Sequence, residues 1–125
     1  MFSSSIPVLS AQDVTVAGVK ISAWRGFNLV ERYDVRKNTP DTGYVEDDFK
    51  WIAQFGFNFV RLPIDYRLYV KNNDWSAFDE AGLKLIDQGI EFGEKYGIHV
   101  SINLHKAPGY YVFKKAKGFN DELWT

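Results

Sequence analysis

A chain of 125 residues with 46% hydrophobic and 25% charged residues has the composition of one ordinary folded domain, which excludes a disordered or fibrous polymer. Its 15 basic and 16 acidic side chains nearly cancel, so no basic excess points to a nucleic-acid partner. With no cysteine, disulfides and thiolate metal sites are excluded, while the redox compartment stays open. No stretch approaches the ~18 apolar residues that span a bilayer. Met1 to Gln12 lacks a basic start and a long apolar run, so it does not read as a signal peptide. The one basic cluster, Lys114, Lys115 and Lys117, reads as a solvated loop. Aromatic residues make up 17% of the chain, and any ring left at a cleft suits a flat, weakly polar ligand such as a sugar.

In chain order, Val14 to Ile21 alternates around Gly18 and predicts a short hairpin that closes the bottom of a barrel. Trp24 to Leu29 reads as a first buried strand, and Glu31 to Gly43, polar and holding Pro40 and Gly43, as a loop. Glu46 to Phe55 places Phe49, Ile52, Ala53 and Phe55 at helical spacing, with Gly56 as the residue that stops the helix. A second strand, Phe57 to Leu62, is ended by Pro63. The next helix is predicted from Ser76 to Tyr96. Ser76 and Asp79 form a capping box, Leu83, Ile86, Ile90 and Phe92 the apolar stripe, and Gly97 the stop. Ile98 to Leu104 is a third strand, His105 to Gly118 a loop, and Asn120-Asp121-Glu122 the start of a third helix.

Phe55-Gly56-Phe57-Asn58-Phe59-Val60 recurs in form as Tyr96-Gly97-Ile98-His99-Val100-Ser101. A repeated helix–Gly–strand unit implies crossover connections and a parallel sheet. A doubly wound sheet and a barrel both fit the repeat; polar residues inside the strands favour the barrel. Ser101 and Asn103 share one face of the third strand, with Ile98, Val100, Ile102 and Leu104 on the other, and Arg61 shares a face with Phe57 and Phe59. Helices are expected to cover the apolar face, and the mixed face to line a lumen.

In a (β/α) barrel the active site lies at the C-terminal strand ends. The polar residues there are Asn28, Arg61, Asp65, Asn103 and His105. A buried Arg is costly unless paired, so Arg61 is expected to meet a carboxylate or backbone carbonyls. A functional Arg would hold a catalytic carboxylate; a structural one would pair with Asp65 or Glu31, and spacing does not choose between these. His105 could bond a sugar hydroxyl or tune an acid, or serve structure alone. No second His stands at ligand spacing from it, and no phosphate loop or nucleophile motif is present, so neither a metal nor another cofactor is expected.

Three segments carry a specific resemblance: Arg25-Gly26-Phe27-Asn28-Leu29, then Gly56 to Ile64, then Ile102-Asn103-Leu104-His105-Lys106-Ala107-Pro108-Gly109-Tyr110. In sequence, order and separation they resemble the opening of glycoside hydrolase family 5, the cellulases and mannanases, from about Gly18 onward. The resemblance implies the first three βα units of a (β/α)8 barrel, with residues 1–125 as the N-terminal part of a single catalytic domain. It implies that Arg61 hydrogen-bonds the nucleophilic Glu, that His105 contacts the sugar beside the scissile bond, and that Asn28, Tyr66 and Tyr110 are cleft residues. The substrate implied is a β-1,4-glucan cleaved with retention by two carboxylates about 5 Å apart. No residue here matches either Glu. Glu31 and Asp65 facing one another are a weaker substitute, and a silent carbohydrate-binding or self-assembling fragment is the alternative function. Three strands leave two open edges, so self-association, docking of the missing portion as a separate chain, or truncation of a longer protein is expected rather than a stable monomer, with Trp24, Trp51, Phe57 and Phe59 partly bare. The resemblance implies action outside the cell, while the sequence itself leaves the compartment open.

Overall fold

The structure, a computed structural model, describes residues 14–21, 23–37, 42–107, 110–111 and 114–115. An N-terminal hairpin pairs β1 (Val14–Val16) with β2 (Val19–Ile21) through a tight turn in which Ala17 and Gly18 both take positive φ. A separate three-stranded parallel sheet follows in the order β3 (Gly26–Asn28), β4 (Phe59–Asp65), β5 (His99–Lys106). Helix α1 (Glu46–Gln54) joins β3 to β4, and α2 (Glu80–Tyr96) joins β4 to β5. A last hairpin pairs β6 (Tyr110–Tyr111) with β7 (Lys114–Lys115). The expected loop from His105 to Gly118 therefore holds strand as well, and Lys114 and Lys115 lie in β7. Lys117 and the predicted start of a third helix at Asn120 lie outside the described residues.

Local chemistry explains the crossovers. Both helices end on a left-handed glycine, Gly56 (φ 79°) and Gly97 (φ 66°), and each is followed directly by a parallel strand. The repeat seen in the sequence is thus a structural repeat. Alternation along β4 buries Val60, Leu62 and Ile64, the first two in one cluster with Phe49 and Ile52 of α1, and leaves Phe59 and Arg61 half-buried on the other face.

Several boundaries differ from expectation. β3 is three residues long and exposed, because it is an edge strand paired only with β4 along the sheet. Phe55 caps α1 and stands 70% exposed instead of joining its apolar stripe. Pro63 does not end β4. Leu29 N–H donates to Arg61 C=O and Asp65 N–H to Arg32 C=O, so Pro63 falls on the side where β3 has already stopped, and its missing N–H breaks no ladder bond.

Helix α2 starts at Glu80. The Asp79 side chain caps it by accepting from Ala81 N–H, while the Ser76 hydroxyl donates to Asp74 in a preceding turn. Its buried face is mostly glycine: Gly82, Gly89 and Gly93 join Ile86, while Ile90 is 40% exposed. A Cβ at Gly93 would stand 2.2 Å from Val100 Cγ2, and one at Gly82 2.2 Å from Leu68 C=O, so the stripe lets α2 lie directly on the sheet and its neighbouring turn. On β5 the expected helix cover reaches only part way. Ile98 is buried, but Ile102 (51% exposed) and Leu104 (40%) stand bare, because no described element packs beyond α2 on that side.

Candidate active site at the C-terminal strand ends

Arg61 stands near the middle of β4, with its guanidinium spread across the sheet. Nη1 donates to Asn28 Oδ1 on β3 (3.2 Å) and Nη2 to Asn103 Oδ1 on β5 (2.5 Å). One cation is therefore held by two neutral amides from the flanking strands. The expected carboxylate or backbone-carbonyl partner is not found among the described residues, nor is a pair with Asp65 or Glu31. The reason is geometric: Asp65 is committed elsewhere, and the amides of Asn28 and Asn103 reach Arg61 from both sides. Amide oxygens satisfy N–H donors without neutralising charge. The Arg61 charge thus remains uncompensated by any described carboxylate.

His105 does not begin a loop, as expected from sequence, but sits inside β5 at an irregularity. Ile64 pairs with Leu104 and Asp65 with Lys106, so His105 is the extra residue of a β-bulge. The bulge shifts the alternation by one. Lys106 would otherwise follow Ile102 and Leu104 onto the helix face; instead it lies beside Asp65. The His105 ring is half-buried and meets the Tyr33 ring edge-on, 6.1 Å between centroids. Burial, with the nearby Arg61 and Lys106 cations, lowers its pKa from the ordinary histidine value, against a smaller opposite pull from Asp65 and Asp34. The ring is therefore neutral at pH 7, with one nitrogen to donate and one to accept.

A clasp of buried charge supports this end of the sheet. Lys106 Nζ lies 2.6 Å from Asp34 Oδ2 and 3.7 Å from Asp65 Oδ2, with all three side chains nearly sealed from solvent. Arg67 grips Asp65 with two bonds (2.9 and 2.6 Å), and Arg36 grips Asp34 likewise (3.1 and 2.8 Å). Val35 N–H also donates to Asp65. Fully buried Arg32 donates to the carbonyls of Thr42 and Leu68. The bonds from Arg36 and Lys106 hold the Asp34 carboxyl well below the usual range. Burial pushes Asp65 up, but the bonds from Arg67 and Val35 outweigh it and leave it low as well. Asp65 is fully buried and its carboxylate is committed to Arg67, Val35 and Lys106, with no bond to Glu31 among the described residues. Glu31 itself is half-buried and raised, by burial first and then by Asp48.

Tyr66, which opens the 3-10 turn Tyr66–Leu68 directly after β4, stacks on Trp75 at 5.3 Å and 19°. The backbone of Tyr110 lies in β6, and its side chain lies outside the described residues. Tyr33, Asp34 and Lys106 gave no signal in the sequence, since their meeting depends on the bulge and on a loop returning from β3. At the opposite end of the strands Trp24 stacks on His99 at 4.2 Å and remains 55% exposed. No helix among the described residues is long and apolar enough to cross a membrane.

Comparison with known proteins agrees with this arrangement. The family profile "Cellulase (glycosyl hydrolase family 5)" matches residues 13–125. The chain is 37% identical over 95 residues to Cellodextrinase A of Ruminococcus flavefaciens, covering 76% of this chain and 26% of that one. It is 34% identical over 108 residues to Endoglucanase C of Acetivibrio thermocellus, covering 84% and 30%. Among solved structures, the crystal structure of a glycoside hydrolase superposes with a TM-score of 0.65 at 32% identity, over 71% of this chain and 27% of that one. The chain thus spans under a third of the length of the curated relatives it matches. It belongs to glycosyl hydrolase family 5, and its three parallel strands with their two crossover helices are an arc of a (β/α)8 barrel.

Proposed function

We propose that these residues form the N-terminal part of a single catalytic barrel domain that hydrolyses β-1,4-glucan with retention, and that they supply one wall of its cleft. The observation that carries this reading is Arg61, a cation presented at mid-strand by two neutral amides. A carboxylate from a later strand, placed against the guanidinium, would be held ionised and aimed as a nucleophile. A second carboxylic acid about 5 Å away would protonate the leaving oxygen. Neutral His105 can bond a hydroxyl of the sugar at the scissile bond without adding charge to the site. Asn28, Tyr66 and Tyr110 are the proposed sugar contacts.

The clasp supports the same reading. Asp34 and Asp65 are saturated by cations, so neither competes for Arg61. The test is a chimera in which residues 13–125 replace the corresponding part of Endoglucanase C. Release of reducing sugar from carboxymethyl-cellulose by the chimera, with none from the 125-residue chain alone, is the expected result. An inactive chimera that is folded by circular dichroism would contradict it.

A second proposal concerns the isolated chain. Trp51 and Phe27 beside the β3 edge, and Ile102 and Leu104 on the β5 edge, are 40–55% exposed. These bare rims lie on both sides of the sheet, and the chain is expected to self-associate through them at micromolar concentration. A sharp monomer mass by light scattering would refute this.

A further inference from the structure

Tyr66 and Trp75 stand at the same end of the sheet as Arg61 and His105, and the mechanism uses no part of Trp75. We propose that Trp75, braced from below by Tyr66, is a stacking platform for a pyranose ring of the glucan chain, in a subsite outside the reacting centre. The proposal rests on the glucan reading above and adds a binding residue to it.

Three observations carry it. First, the rings are nearly parallel, at 19°, with centroids 5.3 Å apart, and Trp75 remains 36% exposed although one side of it faces Tyr66. Second, its position is fixed. Tyr66 directly follows Asp65, whose carboxylate is fastened to Arg67 and Val35. Third, the loop bearing Trp75 is closed on itself by its own bonds. Lys71 N–H donates to Ala77 C=O (2.9 Å), Ala77 N–H to Asp74 C=O (3.0 Å) and Asp79 N–H to Tyr69 C=O (2.8 Å), and Val70 bridges Phe78. The Asp74 carboxylate takes both the backbone N–H and the hydroxyl of Ser76, closing the turn whose middle residue is Trp75. The indole is thus held before any ligand arrives, which lowers the ordering cost of binding.

The chemistry of such a surface selects its ligand. A β-linked glucose unit has equatorial hydroxyls and two flat faces of axial C–H bonds. Those faces match the negative face of an indole, and the hydroxyl edges stay in water. An anionic ligand gains nothing there.

The test is a titration of the 15N-labelled 125-residue chain with cellopentaose, following its indole N–H signals. The chain has four tryptophans, and Trp75→Phe identifies the relevant signal. The expected result is a saturating shift of the Trp75 signal, about tenfold weaker binding in Trp75→Ala and a smaller loss in Trp75→Phe. Should cellopentaose move the backbone signals of Arg61 and His105 while the Trp75 signal stays still, and should Trp75→Ala bind as well as the parent, the platform is overturned and the glucan reading stands. Should no signal move at all, the platform is overturned, and the glucan reading is decided separately by release of reducing sugar from the chimera.

Discussion

Two sets of charged side chains on this sheet, one at mid-strand and one at the C-terminal strand ends, are built in opposite ways. Around Asp34, Asp65 and Lys106 every charge has an opposite charge within reach, and the set is sealed from water. At Arg61 the acceptors are neutral, the side chain is half-buried, and the charge is left over. Saturated charge holds structure, because removing one member leaves another buried without compensation. Charge held by neutral acceptors is available to something that arrives later. On the proposed function, the contrast separates residues that build the site from residues that act in it.

The largest effect expected from breaking the contrast is on the clasp side. Lys106→Met leaves two buried aspartates without their shared cation and releases the bulge. It is expected to lower unfolding free energy by about 3 kcal/mol in urea titration. A loss like that of a surface substitution would show that Arg36 and Arg67 suffice alone. Next is a backbone contact that the β3–β4 pairing needs: a Cβ at Gly26 would stand 1.5 Å from Phe59 C=O. Gly26→Ala should cost about 2 kcal/mol by the same assay, as the edge strand is pushed away from β4.

Acid sharpens the comparison. The folded pKa values of Asp34 and Asp65 both lie below the unfolded value of about 3.9. Their contribution to stability is therefore complete above that value and is lost as pH falls through the folded ones. The urea midpoint should drop on acidification below about pH 4, and drop less in Asp34→Asn. Equal slopes in the two proteins would place the acid sensitivity elsewhere. The smallest stability effect belongs to the α2 cap, where Asp79→Ala should cost about 1 kcal/mol.

What could be read from sequence follows the range of the interactions. Gly56 and Gly97 announced both crossovers because a left-handed helix stop is decided within one turn of chain. The alternation of Val60, Leu62 and Ile64 announced the buried face of β4 for the same reason. Strand parity and the family resemblance both single out Arg61 and His105. They do not single out the partners of Arg61, since parity cannot say which neighbouring side chain reaches it. His105 was placed in a loop because a bulge depends on how β5 registers on β4, which no local pattern states. The clasp was invisible for a like reason: Asp34, Asp65 and Lys106 come from three distant segments, and Lys106 reaches the other two only after the bulge has shifted it. Pro63 misled because its penalty depends on whether a neighbour is present to receive a bond. The glycine stripe of α2 was missed because hydrophobic periodicity counts side chains, whereas Gly82, Gly89 and Gly93 act by having none.

On the proposed function, Arg61 is held for chemistry while the clasp is held for structure. Arg61→Ala measured two ways tests it most directly: urea stability of the 125-residue chain, and kcat of the chimera with Endoglucanase C on carboxymethyl-cellulose. The expected result is a stability loss of about 1 kcal/mol or less, together with a fall in kcat of about a hundredfold. A large stability loss in the chain, with the chimera still turning over at the parent rate, would contradict it and return Arg61 to the scaffold.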